Sequence, residues 1–192
     1  MKVPVIIPSL NPDEKLMQVI NGLVKIGFDD IIVVNDGSDA AHMRPFEEAA
    51  SLPCVTILTH EVNRGKGRGL KTAFDYCIKN RPDIDGVVTT DGDNQHTAKD
   101  IMACAKKMVE LKDQVILGVR DFSLEHVPWT SRAGNMITRS VFYIACGIKI
   151  TDTQTGLRAI PSKYLQTMME VQGERFEYET EMLLVMQKKN IK

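Results

Sequence analysis

Short apolar runs alternate with segments of helical periodicity through about the first 120 residues of the chain. The apolar runs lie at residues 3–7, 31–34, 55–58, 86–89 and 115–119, and each has the length of a buried strand. Between them, apolar residues recur every three or four positions, as in the series Leu70, Ala73, Phe74, Cys77 and Ile78. This alternation predicts an α/β fold in which helices flank one mostly parallel, Rossmann-like central sheet.

The size and charge of the chain narrow the classes of protein to which it can belong. Its 192 residues suit a single domain with a full core. The net charge is −1, from 24 basic and 25 acidic residues that are dispersed along the sequence. This balance gives no electrostatic footprint for nucleic acid, so we expect no nucleic-acid partner. The sequence does not indicate the oligomeric state.

The apolar and cysteine patterns indicate a cytoplasmic protein. No apolar run approaches the roughly 18 residues of a membrane-spanning helix, and the N-terminus does not have the pattern of a signal peptide. The four cysteines lack the paired spacing of metal ligands, and we interpret them as reduced thiols: Cys54, Cys77, Cys104 and Cys146. Peripheral contact with the cytoplasmic face of a membrane stays open.

The last third of the chain has a different pattern. Residues 129–148 predict a helix with an apolar stripe, and a second stripe about 125° away mixes arginines with aromatic residues. Arg132 and Arg139 belong to the second stripe, together with Trp129 and Tyr143. A final acidic and apolar helix is predicted over residues 176–186, and a further strand is expected to begin near residue 190.

The sequence D-G-D-N-Q-H at residues 91–96 directly follows a predicted strand. Its carboxylates, Asp91 and Asp93, are one residue apart at the edge of the sheet where ligands bind in open α/β folds. Two such groups repel each other unless a cation lies between them, and a hard divalent ion with oxygen ligands fits. An acidic surface turn is the alternative interpretation of this motif.

Two further segments follow predicted strand ends. Asp36, in V-N-D-G-S-D at residues 34–39, can accept hydrogen bonds from a base or a ribose, or it can simply turn the chain into a helix. N-R-G-K-G-R-G at residues 63–69 is a basic glycine-rich loop whose backbone amides could approach an anion at a helix N-terminus. A solvated basic turn is the alternative, since the loop has neither a Walker nor a dinucleotide-binding spacing.

Taken together, these segments resemble the family-2 glycosyltransferases of GT-A fold. The resemblance rests on P-S-L-N at residues 8–11 followed, in order, by the three motifs described above. Three more segments are similar to the branch that makes polyprenyl-phosphate sugars, such as dolichyl-phosphate mannose synthases and bactoprenol glucosyltransferases: residues 118–120, 131–135 and 152–158. The resemblance implies one glycosyltransferase domain, with a donor-binding half over residues 1–120 and an acceptor-side half over residues 121–192.

The resemblance also implies a reaction and its donor site. The reaction is an inverting transfer of a sugar from a UDP- or GDP-sugar, assisted by magnesium or manganese. The metal ligands it implies are Asp91, Asp93 and Gln95, with Asp93 also counted as catalytic. The nucleotide-binding positions it implies are Pro8, Asn11, Asp36, Lys66 and Asp91.

The implied acceptor is a polyprenyl phosphate. A phosphate monoester is largely dianionic at neutral pH, so it needs cations to hold it rather than a general base. The expected catalytic cations are Arg120 and Arg132, and the expected acceptor-binding arginines are Arg132, Arg139 and Arg158. If the acceptor is instead a hydroxyl group, Asp152 is the candidate base.

Two departures from the family pattern bear on these expectations. Pro12 stands where the family usually has a glutamate, which puts a nucleobase contact there in doubt. The chain also lacks the family's last strand, its histidine-containing acceptor segment and transmembrane helices, so we expect a C-terminal truncation or a purely peripheral membrane contact. The alternatives are a glycosyltransferase with a hydroxyl acceptor, a nucleotidyltransferase and a non-catalytic nucleotide-binding fragment.

Overall fold

The computed structural model describes residues 1–118 and 156–192. Several predicted features lie outside the described residues. These are the helix over residues 129–148, Cys146 and the candidate site residues Arg120, Arg132, Arg139 and Asp152.

Strands and helices alternate through the described part of the chain. The strands are β1 (Val5–Ser9), β2 (Ile31–Asn35), β3 (Val55–Thr59), β4 (Gly86–Thr89), β5 (Ile116–Leu117) and β6 (Arg158–Pro161). The helices are α1 (Lys15–Lys25), α2 (Arg44–Ala50), α3 (Lys66–Asn80), α4 (Ala98–Leu111), α5 (Leu165–Met169) and α6 (Glu177–Lys188). Short 3-10 turns precede α2 and α5.

The strands described form one sheet in the order β3-β2-β1-β4-β6-β5. β1 pairs in parallel with β2 and β4, and β2 pairs in parallel with β3. β6 is antiparallel to both of its neighbours, β4 and β5. The direction of strand order therefore changes between β1 and β4, and in open α/β sheets the crevice beyond such a switch point is the usual ligand site.

Helices cover both faces of the sheet because the strands are apolar on both sides. Val5, Ile7 and Val33 belong to a core shared with α1, α2 and α4. Ile6 and Val34 belong to a second core shared with α3, α5 and α6. Such strands read as continuous apolar runs, as expected for a parallel sheet buried on both faces.

The predicted α/β architecture is confirmed, including the first four strands and the helices now labelled α1, α3, α4 and α6. β1 begins at Val5 rather than at residue 3, and β5 is shorter than predicted. β6, α2 and α5 were not predicted, because each is too short for a periodic pattern to be recognised.

Two further findings bear on the sequence-based expectations. Cys54, Cys77 and Cys104 are free thiols, as expected. Among residues 1–118 and 156–192, no helix combines the length and the apolar character needed to cross a membrane.

Candidate active site

Asp36, at the carboxyl end of β2, is a buried anchor for the loop that leads into α3. The residue is only 4% exposed. Its Oδ1 accepts hydrogen bonds from His60 Nδ1 at 2.7 Å and from the backbone N–H of Arg64 at 2.9 Å. Its Oδ2 accepts from the backbone N–H of Gly65 at 2.8 Å. His60 Nε2 lies 2.9 Å from Thr72 Oγ1, so the imidazole links β2 to α3 through this carboxylate.

The glycines of the basic loop are explained by close packing against residues 174–178. Gly65 has φ of +101°, and a Cβ there would overlap the carbonyl oxygen of Glu174. A Cβ on Gly67 would lie 2.5 Å from the Cβ of Tyr178. The backbone N–H of Arg68 also donates to the carbonyl of Glu174 at 2.8 Å. This contact accounts for both glycines without an anion, and anion binding by the loop stays a prediction.

Lys66, the first residue of α3, joins the donor-side loop to the acidic motif after β4. Its Nζ lies 2.7 Å from Asp91 Oδ1 and 2.9 Å from Glu179 Oε2 on α6. The side chains of Lys66, Asp91 and Glu179 are 15%, 31% and 10% exposed. Burial lowers the pKa of Lys66, but the carboxylates of Glu179 and Asp91 outweigh burial and hold that pKa above its usual value. The ammonium group is therefore charged at neutral pH.

The carboxylate of Asp91 packs against Gly156, the glycine of D-T-Q-T-G-L-R. A Cβ on Gly156 would overlap both Asp91 Oδ2 and the carbon that bears it. Thr89 Oγ1, at the end of β4, donates to the carbonyl of Gly156 at 2.8 Å. Only glycine permits this approach, so two motifs that are far apart in the sequence meet at Asp91.

Asp93 lies on an exposed turn beyond Asp91. Its Oδ1 accepts a hydrogen bond from the backbone N–H of Gln95 at 3.1 Å. Asn94 has φ of 63° and donates from its side chain to Gln18 Oε1 at 3.1 Å, which ties the turn to α1. Thr97 caps the following helix, α4, by accepting from the backbone N–H of Asp100. The turn is therefore anchored at both ends while the Asp93 carboxylate faces solvent.

The described residues contain no cluster of three or more His, Cys, Asp or Glu side chains arranged to hold a metal. The chemistry at Asp91 nevertheless fits a divalent cation. One of its carboxylate oxygens already binds the ammonium of Lys66, which acts there as a stand-in cation. Carboxylate and amide oxygens, the donors offered by Asp91, Asp93 and Gln95, are those that magnesium prefers.

Three other predicted site residues make structural contacts. The side chain of Asn11 accepts from the backbone N–H of Asp39 at 3.0 Å, which joins the loops after β1 and β2. Pro8 lies beside α3, with its Cβ 3.3 Å from the position that a Cβ on Gly69 would take. Arg158 is 1% exposed, and its Nη1 donates to the carbonyl of Glu179 at 2.8 Å. Their roles in binding nucleotide or acceptor stay predictions.

Glu179 and His60 belong to the site but were not predicted from the sequence. A signal for Glu179 exists, because it shares one helical stripe with Met182, Leu183 and Met186. An acidic residue on a buried apolar stripe needs a cationic partner. No comparable signal marks His60, whose partners are Asp36, directly after β2, and Thr72 on α3.

Comparison with known proteins identifies the family. A family model described as Glycosyl transferase family 2 matches residues 5–169. The chain belongs to this family. The membership confirms the predicted family and enzyme class, a glycosyltransferase.

Two relatives of this family 2 chain are named for transfer to a polyprenyl phosphate. The UDP-N-acetylglucosamine--dolichyl-phosphate N-acetylglucosaminyltransferase of Methanococcus voltae is 28% identical over 97% of this chain and 80% of its own length. The undecaprenyl-phosphate 4-deoxy-4-formamido-L-arabinose transferase of Proteus mirabilis is 25% identical over 88% of this chain and 52% of its own length. Polyprenyl-phosphate transferases are therefore among the relatives of this chain.

A solved structure supports the GT-A fold. Glucosyl-3-phosphoglycerate synthase from Mycobacterium tuberculosis, in complex with Mn2+, UDP and glucosyl-3-phosphoglycerate, superposes with a TM-score of 0.74 at 15% identity. The match covers 98% of this chain and 66% of that one. At this identity the likeness concerns the fold, and it confirms the predicted GT-A class.

Proposed function

We propose that this protein transfers a sugar from a nucleotide-sugar donor to a polyprenyl phosphate, with inversion and with a divalent cation at Asp91 and Asp93. One observation carries the proposal. Beside the switch point of the sheet, the carboxylate of Asp91 binds a cationic group, the ammonium of Lys66. A nucleoside diphosphate that carries a metal ion needs a carboxylate for the metal and a cation for the phosphates, and both groups are at this edge.

The donor half of the proposal rests on residues 1–118. Lys66 begins α3, so the positive end of the helix dipole adds to the charge of its ammonium near the proposed diphosphate. Asp36 fixes the loop that carries Lys66, and we propose that it contributes to nucleotide binding by holding this loop. The Methanococcus voltae relative is named for a UDP-sugar donor, which favours a UDP-sugar.

A divalent cation, Mg²⁺ or Mn²⁺, bound at this edge would act as a Lewis acid and neutralise charge that develops on the departing diphosphate. Asp91, Asp93 and Gln95 are the residues that would hold it. Asp91 is positioned by Gly156, and Asp93 by the backbone N–H of Gln95. Electrostatic stabilisation of a leaving group is commonly the largest catalytic term, so these two contacts matter for rate.

The acceptor half of the proposal rests on chemistry and on the names of relatives. A phosphate oxygen of the acceptor attacks the anomeric carbon, the bond to the diphosphate oxygen breaks, and the nucleoside diphosphate leaves with the electron pair. The acceptor carries no proton on the attacking oxygen, so no base is needed. We propose that Arg120, Arg132 and Arg139 hold this phosphate and that Arg158 also contributes to the acceptor side.

The two substrates correspond to two halves of the chain in this proposal. We propose that residues 1–120 bind the nucleotide sugar and residues 121–192 bind the acceptor. A lipid-linked acceptor is presented at a membrane surface, so we also propose peripheral contact with the cytoplasmic face of the membrane. Both relatives named above carry a polyprenyl phosphate in their names, which supports this acceptor class.

The test is a product assay with defined donors and acceptors. The protein is incubated with Mn²⁺, a panel of UDP- and GDP-sugars and a short polyprenyl phosphate, and the products are identified by mass spectrometry. We expect a polyprenyl phosphate sugar whose mass equals the acceptor plus one glycosyl unit. Parallel reactions contain the corresponding polyprenol or a free sugar as acceptor. Transfer to those hydroxyl acceptors, with none to the phosphate, would contradict the proposal and make Asp152 the candidate base.

A substitution at Arg132 tests the phosphate clamp. Arg132→Ala should lose transfer to polyprenyl phosphate while it keeps its affinity for nucleotide. Loss of one charge-assisted contact costs roughly 1.5–3 kcal/mol, or about one to two decades in acceptor efficiency. Arg132→Lys should recover activity only in part, because lysine supplies charge without the planar fork. Initial rates against acceptor concentration at fixed donor provide the measurement, and a wild-type rate in Arg132→Ala would contradict the clamp.

A further inference from the structure

Lys66 is held between two carboxylates that come from different parts of the fold. Asp91 follows β4, and Glu179 lies on α6. Glu179 is the more buried of the two, with its side chain 10% exposed against 31% for Asp91. Its backbone carbonyl is also fixed by the guanidinium of the buried Arg158. The ammonium therefore has one rigid partner on α6 and one more accessible partner at the sheet edge.

The same carboxylate of Asp91 is the one that the proposed function assigns to the divalent cation. Oδ1 carries the lysine, and Oδ2 packs against Gly156, where a side chain would not fit. Because Gly156 limits where the carboxylate can move, a metal ion that binds it closely competes with the ammonium. Two cations that share one carboxylate also repel each other at close range.

We propose that Lys66 is an internal counter-ion of the metal site. In this proposal Glu179 positions Lys66, and the donor diphosphate draws the ammonium away from Asp91. This inference rests on the proposed function, since it needs the metal at Asp91. Without nucleotide, Lys66 neutralises Asp91 and keeps the affinity for free divalent cations low. When a nucleoside diphosphate arrives with its metal, the ammonium exchanges Asp91 for a phosphate oxygen and keeps its contact with Glu179.

As a consequence, Lys66 couples the binding of the metal ion to the binding of the nucleotide. A ligand that binds only the fraction of molecules with a free Asp91 has its apparent affinity reduced by that fraction. If Lys66 occupies Asp91 in about nine-tenths of the molecules, free Mn²⁺ binds about tenfold more weakly than it otherwise would. Nucleotide removes this competition, and by linkage the metal strengthens nucleotide binding by the same factor.

Glu179 is a positioning residue in this scheme, because it acts through Lys66. In Glu179→Gln the ammonium keeps Asp91 as its one remaining carboxylate, so free Mn²⁺ should bind no more tightly than in the wild type. The lysine is no longer held from α6 where it can meet the diphosphate. Binding of UDP with Mn²⁺ should therefore weaken by about tenfold, the loss expected for one misplaced charge-assisted contact.

The experiment measures Mn²⁺ binding, with and without UDP, by electron paramagnetic resonance of the free ion. In Lys66→Met, free Mn²⁺ should bind about tenfold more tightly than in the wild type, and the strengthening of Mn²⁺ binding by UDP should shrink by a similar factor. Arg68→Met is the matched control. It removes one positive charge two residues further along α3, from a side chain that pairs with Glu174 rather than Asp91, and should change Mn²⁺ affinity by less than about twofold.

The outcomes separate this proposal from the proposed function. Wild-type Mn²⁺ affinity in Lys66→Met, or equal tightening in Arg68→Met, overturns the counter-ion role even if Asp93→Ala abolishes metal-dependent binding of UDP. Wild-type binding of UDP with Mn²⁺ in Glu179→Gln overturns the positioning role. If Asp93→Ala leaves metal-dependent binding unchanged, the metal assignment fails and this inference fails with it. Thermal unfolding establishes whether each variant is folded. If Lys66→Met does not fold, Glu179→Gln still tests the positioning of Lys66.

Discussion

Two acidic strand ends in this protein look alike in sequence and differ in structure. Asp36 and Asp91 each follow a buried strand and each precede a glycine. Asp36 is 4% exposed and accepts hydrogen bonds from an imidazole and two backbone amides. Asp91 is only partly buried, and its carboxylate pairs with the side chain of Lys66. The first carboxylate is bound by three groups of the protein, and we propose that the second exchanges its lysine for a metal ion.

The difference lies in what the following loop supplies. After β3, the chain returns over the end of β2 and offers His60 together with the amides of Arg64 and Gly65 to Asp36. After β4, the chain turns away through Asn94 into α4, so it leaves Asp93 exposed. Whether a neighbouring loop covers an acidic strand end therefore decides if its carboxylate is bound internally or stays available to a ligand.

The largest expected effect is on stability at Asp36. Asp36→Asn removes the anionic acceptor of three hydrogen bonds and places an amide N–H2 against groups that also donate. We expect a loss of about 3 kcal/mol in the free energy of unfolding, measured by urea denaturation. Asp93→Asn, at the exposed position, should change it by less than about 0.5 kcal/mol. Equal losses in the two variants would remove the distinction between anchor and ligand.

A smaller loss is expected where the basic loop packs against α6. Gly67→Ala places a methyl group 2.5 Å from the Cβ of Tyr178, so the loop or the helix must shift. Overpacking of this kind costs about 1–3 kcal/mol. Gly22, within α1, is the control: a Cβ there would lie 3.5 Å from the Cβ of Ala98 at the start of α4, so Gly22→Ala should stabilise the helix by about 0.5–1 kcal/mol. Denaturation of both variants provides the comparison, and a stabilised Gly67→Ala would contradict the close packing.

The last effect is absent at neutral pH and is a dependence of stability on alkaline pH. Burial raises the pKa of Tyr178, and the carboxylates of Glu179 and Asp91, acting against burial, raise that of Lys66. Both groups keep their protons to higher pH in the folded protein than in the unfolded chain. Their contribution is therefore complete below pH ~10 and is lost as the pH rises above that value, by up to about 1.4 kcal/mol per pH unit for each group.

Tyr178→Phe tests this assignment at one of the two groups. The variant loses the hydrogen bond from the hydroxyl to the carbonyl of Met168, so it should be less stable than the wild type at pH 8. Between pH 10 and 12 its free energy of unfolding should fall less steeply than that of the wild type. The slopes come from urea denaturation at each pH, and identical slopes would show that Tyr178 does not contribute.

Local patterns in the sequence were enough to predict the sheet and the acidic edge. The strand before Asp91 is a short apolar run that ends at two threonines, so its position and that of the carboxylate follow from periodicity alone. The antiparallel strand β6 did not follow, because Arg158 begins it and its four residues carry no alternation. Its place beside β4 depends on pairing that a local pattern does not encode.

Sequence patterns did not predict the contacts that the site residues make with distant segments of the chain. The basic loop was recognised as an anion site or a solvated turn, but the packing of Gly65 and Gly67 against Glu174 and Tyr178 was not foreseen. Lys66 was assigned to the nucleotide, and its contact with Glu179 was not foreseen. Such contacts are set by how α6 docks on α3, which is a property of the folded core rather than of either segment.

The central claim is that the edge after β4 binds a divalent cation together with a nucleoside diphosphate. The most direct test is calorimetric titration of UDP, and of GDP, into the wild type and Asp93→Ala, each with and without Mn²⁺. We predict that Mn²⁺ strengthens nucleotide binding in the wild type and has no such effect in Asp93→Ala, while both proteins unfold at similar urea concentrations. Equal nucleotide affinity with and without Mn²⁺ in both proteins would contradict the claim.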